Sequence, residues 1–172
     1  ITNNTAGNGG GIYTSADANP IVINSIFWND SPQEIYFKAD EAPNSISLYN
    51  SNIQGGQSGI LTNNNGSITW GDGNFDLDPL FLDPLNLDYR LSDLSPCISA
   101  GVTSITLPGG EIIDALAQDL DGGTRPNPIG SSPDIGAYEN ERGRQENYNG
   151  PVWYVDDVGL PYANGSPGAP FG

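Results

Sequence analysis

The chain has 172 residues, and its 5 basic and 21 acidic side chains give a formal net charge of −16. This charge excludes a nucleic-acid partner, since phosphate binding needs clustered Lys and Arg, and it disfavours an acidic polysaccharide for the same reason. The chain contains no histidine, which excludes imidazole-based triads and metal sites, and no apolar run of the sequence is long enough for a membrane span.

Short β-strand patterns repeat along residues 1–70, where apolar and polar residues alternate. The longer patterns are residues 1–5, 21–28 and 46–53. The shorter ones are residues 11–14, 34–37 and 59–62. We align the longer patterns on Ile1, Ile23 and Leu48. The alignment predicts a repeat of about 20–25 residues with two or three strands each, which is typical of a β-helix.

Asparagine is concentrated in the repeats, because 12 of the 19 asparagines precede Gly66. Asn tolerates the left-handed backbone of sharp corners, and Asn side chains stacked on successive coils can hydrogen-bond to each other. An antiparallel sandwich also has short alternating strands, but it does not require corner asparagines at this period. The pattern therefore favours an all-β solenoid over residues 1–70.

The sequence pattern changes after Trp70, and residues 71–140 are predicted to form an irregular β cap. Pro79 and Pro84 exclude a helix and a central strand there. Five apolar residues are predicted to cover the end of the core: Leu77, Leu80, Phe81, Leu85 and Leu91. The single cysteine, Cys97, stands in an apolar setting and is predicted to be a small buried hydrophobic residue.

Several short motifs carry a family resemblance. In the repeats they are Gly9-Gly-Gly-Ile-Tyr13, Asn24-Ser-Ile-Phe-Trp-Asn29 and Ser51-Asn-Ile-Gln-Gly-Gly56. In the cap they are Asp78-Pro-Leu-Phe-Leu-Asp83, Asp88-Tyr-Arg-Leu91, Ser95-Pro-Cys-Ile-Ser-Ala-Gly101, Asp119-Leu-Asp-Gly122, Arg125-Pro126 and Pro133-Asp-Ile-Gly-Ala-Tyr-Glu139. Together they resemble a bacterial right-handed parallel β-helix protein with a C-terminal choice-of-anchor Q domain. The resemblance implies this fold and a place outside the cell or on its surface, but no reaction.

The C-terminal segment has a polar linker at residues 141–150 and a strand pattern within residues 151–172. This pattern resembles the opening strand of the same kind of β-helix, although here it follows the cap. The predicted strand comprises Val152, Trp153, Tyr154, Val155 and Asp156. Either another β-helix follows in a longer polypeptide, or the strand is donated to a neighbouring copy by β-augmentation. Donation between two different faces would give a head-to-tail filament.

Candidate ligand sites are few. We predict no catalytic residues, because Lys38 is the only basic residue in the repeats and the acidic residues there form no Asp-Asp pair. Calcium is the one cofactor considered, and two acidic groups are candidates for it. One group is Asp76, Asp78, Asp83 and Asp88. The other is Asp119, Asp121 and Asp134, where the Asp-x-Asp-Gly pattern fits a loop with oxygen ligands. The alternative is that these residues cap turns. Trp28 is a predicted contact for a glycan or a partner, because Phe27 and Trp28 face opposite sides of a strand.

These observations predict a non-enzymatic structural subunit of an extracellular filament or cell-surface assembly, which polymerises by strand complementation with copies of itself. The alternative is a fragment of a secreted β-helix protein that binds or cleaves polysaccharide.

Overall fold

The computed structural model describes residues 1–39 and 42–142, which contain short strands and two 3-10 turns. The predicted all-β class is confirmed. The strands are β1 (Ile12–Thr14), β2 (Ile21–Ile23), β3 (Ile26–Phe27), β4 (Ile35–Phe37), β5 (Asn44–Tyr49), β6 (Asn52–Ile53), β7 (Gly66–Trp70), β8 (Phe81–Asp83), β9 (Asp88–Leu91), β10 (Ser104–Thr106) and β11 (Ile112–Asp114). The 3-10 turns are Gly56–Gly59 and Pro84–Asn86. No helix in the described part of the chain has the length and apolar character that a membrane crossing needs.

Strands β1 to β7 form three parallel ladders, which we call together the repeat region (residues 1–39 and 42–75). The ladders are β1-β4, β2-β5-β7 and β3-β6. Each strand pairs with the strand one repeat later: Ile12 pairs with Ile35, and Tyr36 then bridges to Leu61. The shorter patterns therefore pair with each other from repeat to repeat, and the predicted approximate length of the repeat is confirmed.

The predicted alignment of the longer patterns is wrong in register. Val22, not Ile23, pairs with Leu48, because both Val22 and Leu48 point into the core and a shift of one residue would turn them outward. Residue Ile1 belongs to a different ladder, since its carbonyl accepts a hydrogen bond from the Trp28 amide.

The first core lies between the three ladders. In β5, residues Asn44, Ile46 and Leu48 are buried while the residues between them are half-buried, as the two-residue period of a strand requires. Eight buried apolar residues form this core: Val22, Phe27, Ile35, Phe37, Ile46, Leu48, Ile53 and Ile60.

The predicted corner role of asparagine is confirmed by the backbone. Six asparagines have a positive φ: Asn3, Asn24, Asn29, Asn50, Asn63 and Asn64. Among the described residues, asparagine side chains also connect successive repeats, mostly through main-chain oxygens instead of through each other. The Asn63 amide donates to the Phe37 carbonyl at 2.6 Å, and the Asn74 amide to the Leu48 carbonyl at 2.7 Å.

Residues 76–142, which we call the hairpin region, contain two antiparallel pairs, β8-β9 and β10-β11. This region shares a second core with the outer face of β3, made of Ile26, Leu91, Cys97, Ile98 and Ile135. The burial predicted for Cys97 is confirmed. The prediction that the leucines cover the end of the core is wrong for three of them, because Leu77, Leu80 and Leu85 are exposed. Prolines 79 and 84 restrict the backbone between these leucines, so the segment cannot present them on one face.

Asparagine side chains attach the hairpin region to the repeats, and two of them do so through a pair of bonds. Asn24 donates to the Val102 carbonyl at 2.8 Å and accepts from the Val102 amide at 2.9 Å. Asn52 makes the same pair of bonds with the carbonyl and amide of Leu77, at 2.7 and 3.1 Å. Each carboxamide thus pairs with a peptide group as a neighbouring strand would, which fixes where the two regions meet.

Candidate functional site

The β2-β5-β7 ladder ends in an unpaired strand on both sides among the described residues. β2 is bonded only to β5, and β7 only to β5. A strand bonded on one side presents a row of free N–H and C=O groups on the other, which is a template for another chain. The outer edge of β2 is the first candidate site.

An apolar groove of about 740 Å³ lies beside the β2 edge. One wall is formed by the first strands of the repeat region, including Ile1 and Ile21, which are about half exposed. The opposite wall follows β11 and includes Leu116 and Leu120, which are largely exposed. The groove therefore offers apolar contacts on both sides of a free strand edge, which is the chemistry that an added β-strand needs.

The predicted assembly strand, Val152 to Asp156, lies outside the described residues, as do positions 143–150 of the predicted linker. Donation of a strand to a neighbouring copy requires an open edge on the coil stack, but the sequence did not identify β2 as that edge. The sequence does contain an indication of this edge, since β2 begins the first complete copy of the longer repeat pattern.

Trp28 lies on the outer face of the repeats, as its alternation with Phe27 predicted. Phe27 is buried in the first core, whereas Trp28 is half-buried against the second core. A cavity of about 330 Å³ lies beside Trp28. Its lining combines aromatic, amide and carboxylate side chains, among them Phe81, Asn3 and Asp78. An aromatic face next to hydrogen-bonding groups is a surface that can hold a sugar ring.

The predicted calcium ligands accept hydrogen bonds from the main chain. One oxygen of Asp119 accepts from the amides of Asp121 and Gly123, and the other accepts from the Glu139 amide. Asp121 itself is exposed. This is the turn-capping arrangement that we considered as the alternative.

Asp134 is fully buried and also accepts main-chain hydrogen bonds, from the amides of Ser99 and Asn140, both at 2.7 Å. Burial raises the pKa of Asp134 to about 6, although these two donors favour its ionised form. In the described part of the chain, no three acidic or cysteine side chains come close enough to hold a metal ion together. The calcium site stays a prediction.

A buried ion pair organises the same part of the hairpin region. The Arg125 Nε lies 2.7 Å from the Glu139 Oε1, and both side chains are almost completely buried. Glu139 also accepts from the amides of Asn127 and Asp134. The pair thus fixes three segments of irregular backbone around one carboxylate, which is a structural role.

Two acidic side chains of the repeats, Asp30 and Glu34, come together in the interior. The pair was not predicted from the sequence, because the two residues are four positions apart and form no adjacent acidic pair. Asp30 is 7% exposed and Glu34 5% exposed, so neither carboxyl group is open to a substrate. Their arrangement is that of an interior pair and not of a glycan-cleaving site, which needs both groups at the surface of a cleft.

In comparisons with known proteins, no family model, no curated protein and no solved structure matches the chain. The resemblance to an anchor-type β-helix protein therefore stays a prediction from the motifs.

Proposed function

We propose that the repeat region belongs to a right-handed parallel β-helix, and that the protein is a structural subunit of an extracellular filament or cell-surface assembly. In this proposal the subunits join head to tail by strand complementation. The observation that carries it is the unpaired outer edge of β2 beside an apolar groove.

The parallel ladders support the solenoid. Parallel strands normally need a crossover helix between them. Here successive parallel partners, such as Ile26 and Asn52, are 26 residues apart and the described chain between them contains only strands and turns. A chain that wraps once per repeat satisfies this pairing without a helix.

The donor of the added strand in this proposal is Val152 to Asp156 of a neighbouring copy. The segment consists mostly of β-branched and aromatic residues and contains no proline, so it can pair along its length. The free edge of β7 at the other end of the same ladder makes the two ends different, and contact between different ends gives an open polymer.

Negative-stain electron microscopy and gel filtration of the full chain test the proposal. We expect fibres from the full chain, and monomers after deletion of residues 151–172. Ile21→Lys should also abolish fibres, because a charge at a strand edge opposes pairing. The matched control is Leu85→Lys, which adds the same charge at a residue that is 94% exposed in the hairpin region and should leave the fibres intact. Fibres that persist in the truncated protein would rule out the donated strand.

A second candidate function, binding of a neutral polysaccharide, is favoured by the cavity beside Trp28. The net charge of −16 disfavours uronic-acid polymers. Calorimetric titration with neutral and acidic oligosaccharides tests this function. Binding of the neutral ligand should be lost in Trp28→Phe, kept in Trp70→Phe, and kept after deletion of residues 151–172. Equal loss in both tryptophan variants would remove the cavity from consideration.

A further inference from the structure

Asp30 and Glu34 form a buried carboxyl pair in which each group has one oxygen with main-chain partners and one oxygen without. Asp30 Oδ1 accepts from the amide and the side chain of Asn4, both at 2.8 Å. Glu34 Oε1 accepts from the Asp30 amide at 3.0 Å. The remaining oxygens, Asp30 Oδ2 and Glu34 Oε2, are buried and have no donor among the described residues.

We infer that one proton, carried by Glu34 Oε2 and donated to Asp30 Oδ2, holds residues 2–6 against the repeat below them, and that loss of this proton at alkaline pH releases that segment. A proton in this position gives every buried oxygen of the pair a partner. The two bonds from Asn4 engage Asp30 Oδ1, so Asp30 Oδ2 is available to accept this proton.

The space around the pair is suited to a proton and not to a hydrated metal ion. The backbone of Gly11 packs against it so closely that a Cβ there would lie 3.0 Å from Asp30 Oδ2 and 2.6 Å from the Glu34 carbonyl oxygen. A calcium ion would need six to eight oxygen ligands in this space. Two carboxylates this deeply buried cannot both stay ionised without a counter-charge.

The electrostatic surroundings agree with this geometry. Burial, followed by the hydrogen bond with Asp30, raises the pKa of Glu34 from 4.5 to about 8. The Asp30 carboxylate raises this pKa further by its charge, while the Asp30 amide and the amino group of Ile1 lower it. These are the charged groups that act on Glu34 among the described residues, so the pKa is high despite the nearby ammonium.

Asp30 connects the pair to residues 2–6. This segment lies parallel to residues 28–31, through bridges between Thr2 and Trp28 and between Thr5 and Ser31. The Ala6 amide also donates to the Ser31 carbonyl at 3.0 Å. The bonds from Asn4 to Asp30 lie in the middle of this contact, so a displacement of the Asp30 side chain acts directly on it.

Ionisation of Glu34 places two negative charges side by side in the interior. The pair can relieve the repulsion only by separating or by admitting water. Residues 2–6 are the element expected to separate, because the bonds from Asn4 attach them directly to the Asp30 carboxylate. The inference goes beyond the proposed function, since it concerns a single molecule and holds whether or not the molecules polymerise.

Hydrogen exchange measured across the pH range, and corrected for the intrinsic rate, tests the inference. Protection of the Asn4 and Ala6 amides should fall by up to about tenfold per pH unit between about pH 4.5 and about pH 8, and should level off above about pH 8, where the closed form has itself lost the proton. The Ile53 amide, which donates to the Phe75 carbonyl in the interior, should stay protected. Its protection would show that the loss at Asn4 and Ala6 is a local release and not global unfolding. Unchanged protection of Asn4 and Ala6 up to pH 10 would overturn the inference.

Glu34→Gln is the decisive variant, because the glutamine amide can donate to Asp30 Oδ2 at every pH. Protection of Asn4 and Ala6 should then become independent of pH. Asp76→Asn removes an exposed carboxylate and should behave as the wild type. Loss of protection in Glu34→Gln equal to that in the wild type would contradict the inference. Carbon NMR titration of the wild-type Glu34 carboxyl group gives an independent reading, and a midpoint near 4.5 would also overturn it.

Discussion

The repeat region and the hairpin region are held together by different forces. In the repeat region, eight apolar side chains fill a core between parallel ladders. In the hairpin region, a smaller core includes Ile26 of the repeat region, and most leucines of the hairpin region are exposed. There the irregular backbone is instead tied to buried charged groups, namely Asp134 and the Arg125–Glu139 pair.

This difference shows how one chain stabilises regular and irregular backbone. A ladder satisfies its own peptide groups, so its stability depends mainly on apolar burial. Irregular backbone has no such partners, and buried carboxylates that accept several N–H groups supply them. The repeat region should therefore respond to loss of apolar volume, and the hairpin region to loss of charge.

The largest loss of stability is expected from Arg125→Met. This change leaves Glu139 buried without its counter-charge, which costs about 3–5 kcal/mol in the free energy of unfolding. Urea denaturation measures the loss in the free energy of unfolding. In hydrogen exchange, amides of the hairpin region should lose protection before those of the repeat region. The control is Arg142→Met, since Arg142 pairs with Asp93 at 3.0 Å on the surface and should change little. Equal effects of the two substitutions would refute the structural role of the buried pair.

A somewhat smaller effect is expected from Leu48→Ala, in the middle of the first core. Leu48 is completely buried, and its truncation leaves a cavity that costs about 3 kcal/mol. Leu85→Ala makes the same change at an exposed leucine of the hairpin region and should stay within about 0.5 kcal/mol of the wild type. If Leu85→Ala destabilised the protein as much, the exposed leucines would belong to a core and the contrast between the regions would fail.

The most gradual effect, measured per pH unit, is a dependence of stability on pH that differs between the regions. The folded state keeps a proton on Asp134 up to about pH 6 and on Glu34 up to about pH 8, whereas their unfolded values are 3.8 and 4.5. The folded state thus binds more protons in these windows, so the free energy of unfolding falls as pH rises, by at most about 1.4 kcal/mol per pH unit for each proton.

Urea denaturation over this pH range separates the two contributions. Glu34→Gln should abolish the decline between about pH 6 and pH 8 and should reduce the decline between about pH 4.5 and pH 6, where the remaining part belongs to Asp134. A variant whose pH profile runs parallel to that of the wild type would show that Glu34 is not the titrating group.

Local patterns predicted the repeat region well. The short strands, their approximate period and the corner asparagines follow from alternation and from backbone preferences that act over a few residues. The register of the longer strands did not follow, because Ile21, Val22 and Ile23 are all apolar and only packing decides which one faces the core. The hairpin region was predicted less well, since its leucines and prolines recur without a regular spacing.

By itself, the sequence determined the all-β class, the repeat and the side of the strand on which Trp28 lies, because each depends on neighbouring residues and on the geometry of a strand. Only the tertiary structure decided the free edge of β2, the pairing of Asn24 and Asn52 with the hairpin region, and the meeting of Asp30 with Glu34. Those features depend on which surfaces come together after the chain has folded, and burial then changes the chemistry of the groups that meet.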